Sequence, residues 1–335
     1  MMNRMRVSVL VAIGALALAQ PAPAQAPAPI PVWIDTDPAV GVPDRDVDDG
    51  FALLQAFHSP ELDVRGVSVV FGNAPLAQAW PIGRDMVKRF GPKGLAVYRG
   101  AAGASQLGVD TPASRALAAA LRRSPLVVLV LGPATNVATV LKNHPELASR
   151  IVRIVAVAGR RPGQRFTTGT INHAGHRDFN FEQDAEAFRI LLDSPVPISL
   201  APFEISSKIW MTGDDLAQLT QGSPGARWMV GPARRWLELW KRTFGVDGFN
   251  PFDTLAIARV ATPSLLACEA SSARIDVGPD DVTEVRMQGT APAQKPYLLA
   301  SSDFESARPI EYCSSAVPEF KADLLRRLAR DGRQP

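Results

Sequence analysis

Residues 31–53 read PVWIDTDPAVGVPDRDVDDGFAL, from Pro31 to Leu53. The stretch opens as an apolar strand through Val32 and Ile34. It then releases Asp35, Asp37, Asp44, Asp46, Asp48 and Asp49, and turns helical with Phe51, Leu53, Leu54 and Phe57 at helical spacing. A strand that ends in carboxylates and feeds a helix is a site architecture, because ligands of open α/β sheets sit outside the carboxyl ends of the strands. Carboxylates this close repel one another unless a positive charge joins them. Oxygen ligands without nearby Cys or His favour calcium or magnesium over zinc. A solvated acidic loop capping a helix accounts for Asp44 and Asp46. It does not account for Asp35 and Asp37, which follow a buried-type strand directly.

The chain of 335 residues begins with a segment that does not belong to the fold. Arg4 and Arg6 precede an apolar run from Val7 to Ala19, followed by QPAPAQAPAP, the layout of a secretory signal peptide over residues 1–24; Ala22-Pro23-Ala24 fits the cleavage pattern, with Ala19 and Ala26 as the alternative sites. The expectation is an exported protein, periplasmic or secreted, with residues 25–335 forming one domain. Removing the leader takes away two of the 36 Lys+Arg and none of the 33 Asp+Glu, which leaves a net charge near +1. No concentrated basic face of the kind that binds nucleic acid is visible. Cys268 and Cys313 form either a disulfide, which an exported chain permits, or two buried thiols.

The body alternates strands and helices. Strands are expected at 64–70, 94–97, 125–131, 151–157 and 196–200, and helices at 76–90, 113–121 and 185–192. This order predicts an α/β fold with a mostly parallel, Rossmann-like open sheet flanked by helices. Beyond Met211 the pattern predicts a capped helix, an aromatic-rich helix pair, a helix at 254–260, short strands from about 270 to 312 and a last helix at 318–329. Trp236 and Trp240 are four apart and share a face. His58 and His144 read as surface positions near helix ends.

Polar residues that a core does not need mark successive strand ends: Asp35/Asp37/Asp48/Asp49, Asn73, Thr135/Asn136, Asn172 to Asn180, and Asp253. With IDTDP…VDDGFALL, Phe71-Gly72-Asn73, GPATNVA, NHAGHRDFN and PFDTLAIA in this order, the chain resembles the inosine–uridine-preferring nucleoside hydrolase family from Pro31 to at least Ile257. The resemblance implies that Asp37, Asp49, Asp253 and the carbonyl of Thr135 ligate Ca2+. Asp48 would bind the ribose 2′-hydroxyl, and Asn73, Asn172, Asp178 and Asn180 would line the ribose pocket. Asp35 would support the site from behind, and the substrate would be a small-molecule ribonucleoside. A homo-oligomer is compatible with it. Cleaving an N-glycosidic bond passes through an oxocarbenium-like sugar, and a carboxylate beside a cation suits the activation of water, with Asp37 as the general base. The acidic and amide lining suits a neutral polyhydroxyl sugar and would repel a phosphate.

Three departures from the family pattern stand out. Asp178 occupies a position that is usually Glu. Eleven positions separate Asp37 from Asp48, through the insertion AVGVPDRDV, where the family has four. Phe252 precedes Asp253 where many members carry a His that protonates the leaving base, so Phe252 lines the site without that function, and His173 and His176 are the nearby candidates for it. Two other readings compete with a nucleoside hydrolase: a non-catalytic periplasmic protein that binds calcium and a ribosyl group, and a hydrolase of another N-ribosyl compound. A haloacid-type phosphatase, an EF-hand and a dinucleotide-binding fold each lack their required residues after the first strand.

Overall fold

The computed structural model describes residues 28–169, 175–282 and 293–330. The leader, Asn172 and His173 lie outside the described residues. Nine strands form one sheet: β1 (Ile30–Thr36), β2 (Leu62–Val69), β3 (Val97–Arg99), β4 (Leu126–Val130), β5 (Ile151–Ala156), β6 (Ile198–Leu200), β7 (Leu266–Pro279), β8 (Gln294–Ser301) and β9 (Arg308–Ala316). Their order is β3-β2-β1-β4-β5-β6-β9-β7-β8. β1 pairs in parallel with β2 on one side and β4 on the other, so the strand order reverses direction beside it. All strands from β3 to β9 in this order run parallel, as the alternating pattern predicts. Their carboxyl ends therefore face the same way, and the loops that leave them meet over β1.

β1 is buried on both faces. Val32 and Ile34 enter a core shared with the helix Asp48–Phe57 and the C-terminal helices, and Trp33 enters a second core on the opposite face. Burying such side chains contributes about 1.5–3 kcal/mol each. A Cβ at Gly66 on β2 would lie 2.3 Å from the Trp33 ring, so the glycine makes room for the indole. The helix Asp48–Phe57 is buried along its whole length, including its two aspartates.

Two expectations are corrected. The aromatic-rich segment is one helix, Pro224–Phe244, and not a pair. Pro232 removes a backbone donor, which ordinarily breaks a helix. Here a continuous buried face that includes Ala226, Met229, Ala233, Leu237 and Trp240 carries the helix through it. The C-terminal part is likewise not a set of short strands. β7 spans 14 residues and pairs antiparallel with both β8 and β9, which extends the main sheet. Cys268 and Cys313 face each other across β7 and β9 and form a disulfide. His58 is buried, with its Nδ1 2.9 Å from the carbonyl of Arg327.

Candidate active site

The turn after β1 and the start of the helix Asp48–Phe57 bring the acidic residues together. Oxygens of Asp48, Asp49 and Asp253 lie within 4.8 Å of one another, all in buried side chains. Asp253 arrives from the start of the helix Thr254–Ala261, and its backbone N–H donates to Asp48 Oδ2 at 3.3 Å. Asp49 accepts from the Thr36 hydroxyl, from the Asp37 N–H at 3.0 Å and from Asn73 Nδ2 at 3.1 Å. The Asn73 N–H also donates to Asp37 Oδ2 at 2.6 Å, so Asn73 bridges Asp37 and Asp49. Asp37 Oδ1 is buried without a hydrogen-bond partner among the described residues.

Two glycines create the space that Asp37 occupies. A Cβ at Gly72 would lie 1.8 Å from Asp37 Oδ2, and one at Gly132 would lie 2.8 Å from Asp37 Oδ1. Gly72→Ala is therefore expected to displace the carboxylate. The expected cost is about 1–3 kcal/mol of stability from overpacking and a loss of nearly all activity, read by urea denaturation and a base-release assay. Unchanged activity in this variant would mean that the position of Asp37 is unimportant.

Behind the cluster, Asp35 is fully buried. It accepts from the Ser68 hydroxyl and from Asn136 Nδ2 at 2.8 Å, while Trp33 Nε1 donates to Ser68 at 2.8 Å. Asn136 Oδ1 in turn accepts from the Ala101 N–H at 2.9 Å. This chain of hydrogen bonds joins the carboxyl ends of β1, β2, β3 and β4. Thr135 begins the helix Thr135–Asn143. Its hydroxyl donates to Asp184 at 2.5 Å, and its carbonyl accepts from the Thr139 hydroxyl at 2.7 Å. Asn180 donates to the carbonyls of Leu131 at 2.7 Å and Val157 at 3.0 Å, which ties it to the ends of β4 and β5. Asp178 accepts from the Gly159 N–H at 2.8 Å, and its own N–H donates to Glu182 at 2.9 Å. Glu182 is held by Lys295 at 2.6 Å and lies 3.7 Å from the buried Arg160.

Desolvation dominates the electrostatics. Burial pushes Asp35 and Asp46 up to about 7 and Asp49 and Asp178 up to about 6. Asp37, Asp48 and Asp253 are raised well above the usual carboxylate range, by burial first and then by one another's charge. No Lys or Arg among the described residues forms an ion pair with the cluster. The donor set is all oxygen and anionic, and Asp37 keeps an unpartnered buried oxygen. These features fit a hard cation.

The cluster forms one end of a cavity of about 480 Å³. Asp48, Asn73, Asp178, Asn180 and Asp253 give this end its polar lining. The other end is aromatic, with Phe166, Phe203, Trp236, Trp240, Phe244 and Phe252. Phe203 stacks on Phe166 at 4.5 Å and on Phe252 at 6.1 Å. Trp240 stands edge-on to Trp236 at 6.1 Å and to Phe244 at 5.3 Å. A polar end beside a flat aromatic end suits a sugar joined to a heterocycle. His176 belongs to the aromatic wall, edge-on to Phe244 at 5.0 Å, and burial lowers its pKa, which favours the neutral ring. Its Nε2 is buried without a partner among the described residues.

The insertion also reaches this cavity, through Asp44, Arg45 and Asp46. Asp46 additionally caps the helix that follows, accepting from the N–H groups of Val47 at 2.6 Å and Asp48 at 3.1 Å. Sequence reasoning missed Phe166, Phe203 and Phe244 as lining residues, together with Asp184 as the partner of Thr135. Only the abundance of aromatics near Trp236 hinted at the wall.

A parallel sheet with carboxylates, amides and an aromatic cleft at its switch point defines an α/β enzyme that grips a sugar and its flat substituent. The family model described as inosine–uridine preferring nucleoside hydrolase matches residues 32–296, and the chain belongs to that family. It is an N-ribosyl hydrolase that acts on the N-glycosidic bond of ribonucleosides. Uridine nucleosidase 1 of Arabidopsis thaliana is 24% identical over 272 residues, covering 72% of this chain and 77% of its own. The pyrimidine-specific ribonucleoside hydrolase RihA of Citrobacter koseri is 27% identical over 247 residues, covering 65% of this chain and 77% of its own. Among solved structures, a plant nucleoside hydrolase superposes with a TM-score of 0.72 at 21% identity, covering 90% of this chain and 99% of that one. The inosine–uridine preferring nucleoside hydrolase of Bacillus anthracis gives 0.67 at 17% identity, with the same coverages. These two structures share the fold.

Proposed function

We propose that the protein is an exported, calcium-dependent hydrolase that splits a ribonucleoside into ribose and free base, with water activated by Asp37. The observation that carries the proposal is the buried, unpaired group of Asp48, Asp49 and Asp253 beside the orphaned Oδ1 of Asp37, at the polar end of the cavity. Asp37, Asp49, Asp253 and the carbonyl of Thr135 would hold the cation. When bound, it supplies a fixed positive charge that grips vicinal hydroxyls and makes a water easier to deprotonate. Asp48 takes the 2′-hydroxyl, and Asn73, Asp178 and Asn180 line the sugar.

In the reaction the C1′–N bond breaks and its electron pair leaves with the base. Water bonds to C1′ as hydroxide after Asp37 takes one of its protons, and the leaving base nitrogen takes a proton from solvent, which Asp37 later restores, so that neutral ribose and neutral base result. The anionic lining stabilises the positive charge that develops on the sugar, an effect that grows inside a water-poor cleft. The aromatic end replaces water around the departing base. The leader sequence supports export, and the Cys268–Cys313 disulfide accords with an oxidising compartment.

The test is ribose release from purine and pyrimidine nucleosides by the mature protein, with and without EDTA. Release that EDTA abolishes and calcium restores is expected. Release indifferent to EDTA would remove the cation from the proposal, and no release from any nucleoside would overturn the hydrolase assignment.

A further inference from the structure

We infer that the substrate carries an anionic substituent, a carboxylate or phosphate, on its leaving-group side, held by arginines in a side chamber of the active site. The inference rests on the hydrolase reading above and narrows it to a class of ribosyl compound.

A second cavity of about 370 Å³ lies between the insertion and one face of the helix Pro224–Phe244. Arg45, Arg234, Arg235 and Arg242 line it, with Asp44 and Glu238 as its only acidic residues. None of these four arginines has an ion-pair or hydrogen-bond partner among the described residues. Elsewhere Arg160, Arg161, Arg177 and Arg327 are each neutralised by carboxylates at 2.6–2.8 Å. All four are solvent-exposed, and with two acidic residues beside them they give this concavity a net positive lining.

The chamber adjoins the main cavity, since Asp44, Arg45 and Trp236 line both. The sugar-gripping residues Asp48, Asn73, Asp178, Asn180 and Asp253 line the main cavity alone. Trp236 belongs to the aromatic end through its contact with Trp240. The chamber therefore opens beside the leaving group and away from the ribose. Its walls are anchored: Ala39, Val40 and Val47 of the insertion are buried, as are Ala233 and Leu237 of the helix. The Val42 N–H closes the loop onto the Ala39 carbonyl at 2.9 Å.

With a neutral base the four guanidinium groups face only Asp44, Glu238 and solvent. A planar carboxylate or a phosphate accepts paired N–H donors from such groups in strong charge-assisted bonds. Most of the acidic lining that repels an anion sits at the sugar end, and in the chamber Asp44 and Glu238 are outnumbered by the four arginines.

Base release is measured for two matched pairs: nicotinate riboside against nicotinamide riboside, which places a carboxylate on the heterocycle, and uridine 5′-monophosphate against uridine, which places a phosphate on the sugar. The expected result is a kcat/KM for nicotinate riboside at least about tenfold above that of the amide. That ratio should fall to near one in Arg235→Glu/Arg242→Glu, and in Arg234→Glu as a separate exposed variant, with neutral nucleosides unaffected. The phosphate on uridine should bring no gain. A preference for the 5′-monophosphate that these variants remove would overturn the leaving-group assignment. No preference for either anion, or one that the variants leave intact, would overturn the inference while the hydrolase reading stands. No base release from any of the four compounds would overturn both.

Discussion

Asp37→Asn is expected to lower the rate of ribose release by about 10³-fold or more and to leave the protein folded. The two side chains have nearly the same volume, so Gly72 and Gly132 still leave enough room. The amide oxygen can keep the hydrogen bond that the Asn73 N–H now gives to Asp37 Oδ2 at 2.6 Å. What disappears is the capacity to take a proton from water. The variant also removes one negative charge from a set whose members raise one another's pKa. Its melting temperature in EDTA should therefore equal or exceed that of the parent. The pair of measurements separates chemistry from folding. Near-parental turnover would show that Asp37 is not the base, and a collapsed melting temperature would assign the lost activity to unfolding.

The second large expected effect is the loss of stability on removing the proposed cation, and its size grows with pH. In the metal-free protein Asp46 is raised to about 7 and Asp49 to about 6. The corresponding unfolded carboxylates titrate near ~3.9. Between these values the folded state holds more protons than the unfolded one. The stability that protonation of these groups lends is complete below about pH 4 and is lost as pH rises through 6 to 7. A carboxyl raised by roughly two units costs about 2–3 kcal/mol at neutral pH. The proposed calcium ion is expected to reverse the loss, because it would bind Asp49 in its deprotonated form and offset the charge of the neighbouring Asp46. Melting curves in EDTA should fall steadily from about pH 5 to 7.5, and the upward shift on adding calcium should be largest at the upper end. A calcium shift of the same size across that range would mean that the ion does not bind these aspartates.

Much of this site is visible in the sequence because each contribution is a short segment at a strand end. Asp35 and Asp37 follow β1, Gly72-Asn73 follow β2, and Thr135-Asn136 follow β4. A parallel sheet collects such ends without any knowledge of side-chain contacts. What could not be read depends on residues that meet only after folding. Phe166 and Phe244 are 78 positions apart and follow no shared period, yet they form one wall. His58 looks like a helix-end residue until the last helix covers it. β7 looks like short pieces because Glu269, Arg274 and Asp276 interrupt its apolar residues. These point away from the core, and the ladder with β8 and β9 runs past them. The helix through Pro232 shows the same limit, since local propensity argues for a break and burial argues for continuity.

The position of β9 also bears on how the chain is made. Among the described strands it is the one that joins β7 and β8 to the rest of the sheet, pairing with β6 at Ser199–Leu200 and with β7 along most of its length, while Arg160 adds an isolated bridge to Leu299 of β8. Residues 308–316 follow the other eight described strands in the chain, so until they emerge the β7–β8 pair lacks its neighbour in the sheet. Lys295 on β8, which holds Glu182 beneath Asp178, then has no fixed place either. Folding that waits for a late strand gives a secretory precursor time to remain unfolded and threadable. For a protein exported as we propose, the sheet order would thus delay maturation until translocation is under way.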